Sequence, residues 1–335
     1  MLSFTIRRLI MMIPTLLLIS LVIFLLLELA PGDPMAQIPL TVPPEVKQQM
    51  RLALGLGEPM HIRYWKWIVQ FFWLEPQVLI DYYFGSSFSE GKLRVISWQT
   101  RGPVMDLVIQ RLPQTVWVVG MSYIVGVVIA LPIGIYSAYK QYSIFDQTGT
   151  FISMIGYSVP PFFSGVLVIV IFSVTLGWFP SIYDTTLVVN SWDNFVLQLK
   201  QMIMPVMVLA LQTTAQLSRF MRASMLDNLS QDYVRTARAK GLGESVVVMV
   251  HVLRNSMIPV VTVIALGVPS VFGGAIITEQ VFRVNGIGQL LITAIQATDL
   301  PLVQTLTFMF AILIVIFNLI ADILYGVLDP RIRYD

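Results

Sequence analysis

The chain has 335 residues, 56% of them hydrophobic and only 12% charged. Soluble domains carry about 25% charged residues, and a single core of this length cannot hide so much apolar surface, so the composition indicates a polytopic membrane protein. A net charge of +2 leaves no nucleic-acid footprint, and the absence of cysteine excludes disulfides, thiol catalysis and thiolate metal sites.

A bilayer core calls for about 20 consecutive apolar residues per helix. Six stretches meet that need: 9–27, 115–139, 148–176, 201–218, 256–278 and 301–327. The expected fold is therefore all-α with six transmembrane helices. Pro160-Pro161 predicts a kink or interruption in the third stretch. Arg7-Arg8 ahead of the first run has the look of a signal peptide. The run is longer than a signal core, however, and ends in Glu28-Leu29-Ala30-Pro31, a poor cleavage site, so a retained helix is expected.

Orientation follows from Lys and Arg in the short loops. With the N-terminus inside, the inner segments hold Arg7, Arg8, Lys140, Arg219, Arg222, Arg235, Arg238, Lys240, Arg254, Arg331 and Arg333. The short outer loops hold Lys200 and Arg283. Both termini are thus expected on the cytoplasmic side. The long outer segment, about 30–114, exceeds the length at which the rule applies, and its acids nearly balance its bases.

Within that segment, Pro43-Pro44-Glu45-Val46-Lys47-Gln48-Gln49-Met50 reads as a helix start. Residues 61–74 are rich in Trp, Tyr and Phe, and two readings fit them: seating at the membrane interface, or packing against the helix bundle. Asp33, between Pro31 and Pro34, reads as a cap or turn at the top of helix 1. In helix 5, Pro269 and Gly273-Gly274 mark a place where helices approach closely or bend.

The loop between helices 4 and 5 begins Ser230-Gln231-Asp232-Tyr233-Val234-Arg235-Thr236-Ala237-Arg238-Ala239-Lys240-Gly241-Leu242-Gly243. Ser230 is the expected N-cap, Asp232 and Arg238 complement the helix dipole, and Gly241 stands where a left-handed residue is wanted. Tyr233, Ala237 and Gly241 recur at spacing four, which predicts a short helix with a small-residue face suited to a cleft on another protein. A basic loop set only by topology is the plainer reading. Val250-His251-Val252-Leu253-Arg254-Asn255-Ser256-Met257-Ile258-Pro259 follows.

Residues 231–259 together resemble the coupling-loop signature of bacterial ABC importer permeases, most closely the first permease of the dipeptide/oligopeptide/nickel branch. The broad family begins this loop with Glu-Ala-Ala, with Gly four positions after the second Ala. Here Arg235, Thr236 and Ala237 precede Gly241, and Leu253-Arg254 stands where a Leu-Pro pair is usual; both departures agree with the peptide branch. The likeness continues along the chain through Arg7-Arg8-Leu9, Ile13-Pro14-Thr15, Leu29-Ala30-Pro31-Gly32-Asp33-Pro34, Leu54-Gly55-Leu56 and Arg111-Leu112-Pro113-Gln114-Thr115. It resumes at Gly273-Gly274, Glu279, Phe282, Gly286-Ile287-Gly288, Asn318, Asp322, Tyr325 and Asp329-Pro330-Arg331-Ile332-Arg333. Phe84-Gly85-Ser86-Ser87 departs from the family's Gly-Asp-Leu-Gly-like run.

The resemblance implies a type I ABC importer permease: helix 1 and an outer segment over 1–110, a core over 111–327 with its coupling loop at 221–255, and a cytoplasmic tail over 328–335. It implies residence in the bacterial inner membrane, in contact with membrane lipid. Its implied partners are a homologous second permease as heterodimer, two ATPase subunits that hold ATP and Mg, and an extracytoplasmic substrate-binding protein. Tyr233, Arg235, Ala237, Lys240, Gly241 and His251 are the residues it assigns to ATPase coupling. Peptides are the expected cargo, with nickel chelates, opines or oligosaccharides as alternatives.

Glu28, Glu279 and Asp322 are costly charges near helix ends, readable as pathway groups or as structural pairs; for Asp322 the tail bases Arg331 and Arg333 are the expected neighbours. His61 and His251 stand in separate segments, so no metal site is expected. No phosphate-binding Gly-x-x-x-x-Gly-Lys-Ser/Thr motif occurs, so no cofactor is expected on this chain, and no nucleophile–base constellation makes it an enzyme. Two other classes are an ion-driven secondary transporter, which needs midplane ion sites, and a membrane subunit without a transport path. Nucleotide hydrolysis that requires a second permease and ATPases separates the importer from both.

Overall fold

The structure, a computed structural model, describes residues 2–29, 43–45, 48, 57–92 and 94–328. Among these the backbone is helical almost throughout, its extended pairing limited to an isolated bridge between Ile96 and Pro103. The elements are α1 Leu2–Glu28, α2 Met60–Val69, α3 Glu75–Phe84, α4 Val104–Thr115, α5 Met121–Tyr139, α6 Ile144–Ser158, α7 Pro161–Val168 and α8 Trp192–Leu229. They continue with α9 Asp232–Ala239, α10 Glu244–Val246, α11 Leu253–Phe282, α12 Ile287–Gln296 and α13 Leu300–Leu328. π-helical turns at Gln70–Leu74, Val116–Gly120 and Val247–Val252 join neighbouring helices, and a fourth, Ile169–Thr175, extends α7.

Among the described residues, five helical runs are long and apolar enough to cross a bilayer: Thr5–Glu28, Val104–Tyr139, Trp192–Leu229, Glu244–Pro269 and Leu300–Leu324. Ile144–Ser158 and Pro161–Thr175 make a sixth when taken as one broken span, bent by 105°. The break falls where Pro160-Pro161 predicts it. Neither proline can donate to a helix, and Val159 is driven to extended backbone, φ −80° and ψ 124°.

Several helices outrun their apolar stretches. At 38 residues α8 is about 57 Å long, nearly twice the hydrocarbon thickness. Lys200, Arg219 and Arg222, expected in loops, therefore lie within α8, and Arg254 lies within α11. No breaker residue stops either helix at the edge of its apolar run. Pro259, Pro269 and Gly273-Gly274 all sit inside α11 without ending it. The ten-residue α12, too short to span, was not among the expected helices. Pro44, Glu45 and Gln48 are helical; the rest of the start expected at 46–50, Asp33 with Pro31 and Pro34, Leu54-Gly55-Leu56 and the tail with Arg331 and Arg333 lie outside the described residues.

The chain divides into two compact units. In the first (Met1–Met11, Gln114–Gln289 and Leu313–Asp335), α5, α6 and α11 all pack along α8. The α5 face against α8 is a stripe of small buried residues, Ser122, Gly126, Ala130, Gly134 and Ala138, at spacing four. Without a hydrophobic drive between helices in lipid, such a stripe lets backbones close to van der Waals contact. A Cβ at Gly134 would stand 2.6 Å from the Ser218 carbonyl oxygen and from Met221 Cβ. Arg222 Nε and Nη2 donate to the two oxygens of buried Asp146 at 2.6 and 2.7 Å, tying α8 to the first turn of α6.

In the second unit (Met12–Pro113 and Leu290–Ile312), α2 and the π-helical turn after it lie against α1 and α13. Tyr64 meets Phe24 at 5.2 Å between ring centres, and Trp67 and Phe71 meet Phe308 at 5.3 and 4.9 Å. Burial desolvates Glu75 and pushes its carboxyl above the usual range despite Arg94, which reaches both Glu75 (3.3 Å) and Asp106 (2.8 Å). The Phe84-Gly85-Ser86-Ser87 departure is a helix stop: Gly85 is left-handed at φ 67°, and Asp81 accepts from Ser86 Oγ and from both Ser89 N and Ser89 Oγ.

The α5–α8 stripe makes a direct prediction. Gly134→Ala should destabilise the protein by about 1–3 kcal/mol through overpacking. Gly120→Ala, with nothing within 4 Å of its added Cβ, should be neutral or stabilising by up to about 1 kcal/mol. Thermal unfolding of the two variants in detergent checks the contrast.

Candidate functional site

The loop at 230–256 is built as a short rigid element. Asp232 stands in the first turn of α9 and Arg238 in the last, as the dipole favours. Its end is a Schellman motif: Gly241 N donates to Arg238 O at 2.9 Å and Leu242 N to Ala237 O at 3.4 Å, with Gly241 at φ 78°. Arg238 then clamps Glu244 through two nitrogens, at 2.6 and 3.1 Å, across the Gly241-Leu242-Gly243 turn.

Two expectations are corrected here. Ser230 does not cap α9; because α8 runs on to Leu229, Ser230 closes that helix instead, its hydroxyl donating to Asp227 O at 2.9 Å. Gln231 takes the N-cap position of α9 without a side-chain bond. Of the small-residue face, Tyr233 and Ala237 also turn inward rather than outward, while Gly241 stays exposed. Val234 (0% exposed) and Ala237 (7%) join Met225, Val247, Val248 and Val252 in the chain's own core, and half-buried Tyr233 donates to Asn228 Oδ1 at 2.8 Å. A hydrophobic pair at positions three apart on an eight-residue helix packs wherever apolar surface is nearest, and that is the α8–α11 junction.

What the loop exposes is the opposite face: Arg235, Thr236, Arg238, Ala239, Lys240 and Gly241, followed by Leu242. The Arg235 side chain is 77% exposed, bonded only weakly to Asp232 at 3.3 Å. His251 is half-buried in the π-helical turn before α11, and Asn255 Nδ2 donates to its carbonyl at 3.1 Å. Beneath the loop, Ser224 Oγ donates to Ser256 O at 2.9 Å, which ties α8 to α11.

Comparison with known proteins decides the class. The family described as "Binding-protein-dependent transport system inner membrane component" matches residues 130–334. Its companion, "Binding-prot-dependent transport system membrane comp, N-term", matches residues 1–119. The oligopeptide transport system permease protein AppB of Bacillus subtilis is 38% identical over 336 residues, 99% of each chain. The glutathione transport system permease protein GsiC is 35% identical over 338 residues, all of each chain, in both Escherichia coli and Salmonella typhimurium. The chain belongs to the ABC importer permease family.

The permease is thus a non-catalytic, multi-pass membrane subunit in the branch that holds these relatives, and an autonomous ion-driven carrier is set aside. Each of its three singled-out acids has a partner. Glu28 pairs with Arg63, and Asp322 with Arg8 at 2.9 Å. Glu279 is fully buried: one carboxylate oxygen accepts from Thr115 Oγ1 (2.8 Å), the other from Gln289 N (2.9 Å), while Thr115 Oγ1 accepts from Ile287 N (2.7 Å). A carboxylate at the free N–H groups of a helix start is a distant cap for α12. Gly288 fits that junction because its Cβ would stand 2.7 Å from Ile276 Cα. Among the described residues, no group of three or more His, Asp or Glu could hold a metal ion.

Two anchors escaped the sequence reading. Asp146–Arg222 is one. The other is buried Asp299, which accepts from Ser97 Oγ, Trp98 N (3.0 Å) and Gln99 N (3.2 Å) and caps α13 at Leu302 N (3.4 Å). Their partners lie far off in sequence, where no spacing rule reaches.

The Glu279 cap predicts that Glu279→Ala leaves buried donors unmet and costs about 1–3 kcal/mol, with the loss concentrated in α12. Hydrogen exchange should quicken across 287–296 in that variant and barely change across α8.

Proposed function

We propose that this permease passes ATPase motion into its transmembrane helices through α9, as one half of a heterodimer with a homologous second permease, in a peptide importer. The observation that carries this reading is the two-sidedness of α9: a charged outer face over an inner face rooted in the α8–α11 core. A partner that pulls on Arg235 and Lys240 also pulls on Val234 and Ala237, and through them on two spans.

In this reading the loop faces the cytoplasm, as do both termini; the excess of Lys and Arg in the segments on that side supports it. Two ATPase subunits below hold ATP and Mg, and their closure drives a rigid-body change between two helix packings. An extracytoplasmic binding protein delivers substrate from the other face, over the part formed by residues 1–110. Tyr233, Gly241 and His251 hold the docking element in shape, while Arg235 and Lys240 make the contact. Peptides are the cargo that the names of the oligopeptide and glutathione permeases favour; selectivity rests with the binding protein.

Charge-assisted contacts are worth about 1.5–3 kcal/mol each, about tenfold or more in affinity. Arg235→Glu with Lys240→Glu should therefore lower ATP hydrolysis stimulated by loaded binding protein at least about tenfold in the reconstituted complex. Unchanged stimulation would overturn the coupling role. Thermal stabilisation of the cognate binding protein by short peptides, and not by nickel chelates or oligosaccharides, tests the cargo separately.

A further inference from the structure

We propose that the helix from α2 through α3 lies within one leaflet of the bilayer and presents a lipid-facing stripe, although it belongs to a segment that does not span. Its two faces are both apolar. One packs inward through Trp67, Phe71 and Leu74. The other leaves Ile62, Trp65, Val69, Trp73, Ile80 and Phe84 in the open, recurring at helical spacing, with Trp65 67%, Trp73 70% and Phe84 82% exposed.

Depth is read from two independent contacts. Tyr64 shares a hydrogen bond of 2.9 Å with Ser20, eight residues before the end of α1. Trp67 and Phe71 stack on Phe308, eight residues into α13. At about 1.5 Å per residue, each marker lies about 12 Å inside the end of a membrane-crossing helix. A leaflet's hydrocarbon is about 15 Å deep. Between Tyr64 and Phe71 the helix therefore runs beside two spans at hydrocarbon depth, and its outer stripe there continues their lipid-facing surface.

Charge placement agrees. Arg63 pairs with Glu28, Lys66 with Glu58, and Glu75 with Arg94, while Asp81 is ringed by Ser86 and Ser89. Lys66, its side chain 56% exposed, borders the stripe and turns to Glu58. A stripe of this kind in water would be an aggregation site.

The absence of cysteine from the chain makes the test clean. Single spin labels at Trp65→Cys, Trp73→Cys and Ile80→Cys, with Glu90→Cys as an exposed reference, are measured in the purified permease complex in phosphatidylcholine vesicles. Collision with oxygen should exceed collision with the water-soluble nickel chelate NiEDDA severalfold at the three stripe positions, and the ratio should reverse at position 90. NiEDDA access at 65 and 73 equal to that at 90 would overturn the proposal by placing the stripe in water. Exclusion of both reagents would overturn it by placing a protein there. Should a cysteine variant fail to assemble, tryptophan quenching by brominated acyl chains in the unaltered complex, compared with Trp65→Phe/Trp73→Phe, reads the same question. Quenching lost in the double variant supports lipid contact, and quenching unchanged contradicts it.

Discussion

Hydrocarbon offers no hydrogen-bond partner, and almost every feature of this permease follows from that. Backbone groups must bond within their own helix, so among the described residues the chain is helical nearly throughout. Side chains that carry charge at depth must meet an opposite charge or a ring of donors. Asp146, Glu279, Asp299 and Glu75 are buried acids near helix ends, and each is met differently: by an arginine fork, as a distant helix cap, by a loop of backbone N–H groups, and by a shared guanidinium.

The same constraint sorts helix contacts. With lipid as apolar as leucine, affinity between helices comes from close approach, and the Ser122–Ala138 stripe of α5 supplies it against α8. The length of α8 then matters beyond the bilayer. Its last turns leave the apolar zone as continuous helix and reach α9, so the loop read as a docking element is joined to the bundle by secondary structure and by the Val234–Ala237 core contacts.

Legibility in the sequence divides along the range of the forces. The break at Pro160-Pro161, the left-handed Gly241 and the dipole charges Asp232 and Arg238 follow from sterics and charge within one helical turn, and all were readable. Ser230 closes α8 instead of capping α9 because two helices compete for one hydroxyl, and only the length of α8 decides between them. The inward turn of Ala237 depended on a core assembled from Met225 and Val252, twelve and fifteen residues away. The Asp146–Arg222 and Ser97–Asp299 anchors join residues 76 and 202 positions apart, beyond any periodicity. Family likeness covered the whole chain but could not say which face of α9 is free; burial does.

The proposed coupling runs through Val234, which roots α9 in the α8–α11 core, so that loosening this contact should uncouple motion without removing the proposed docking face. Val234→Ala, in the complex reconstituted with its ATPases and binding protein, should keep ATP hydrolysis near the unaltered level while substrate imported per ATP falls severalfold. Hydrolysis and import falling in proportion, or neither changing, would contradict it.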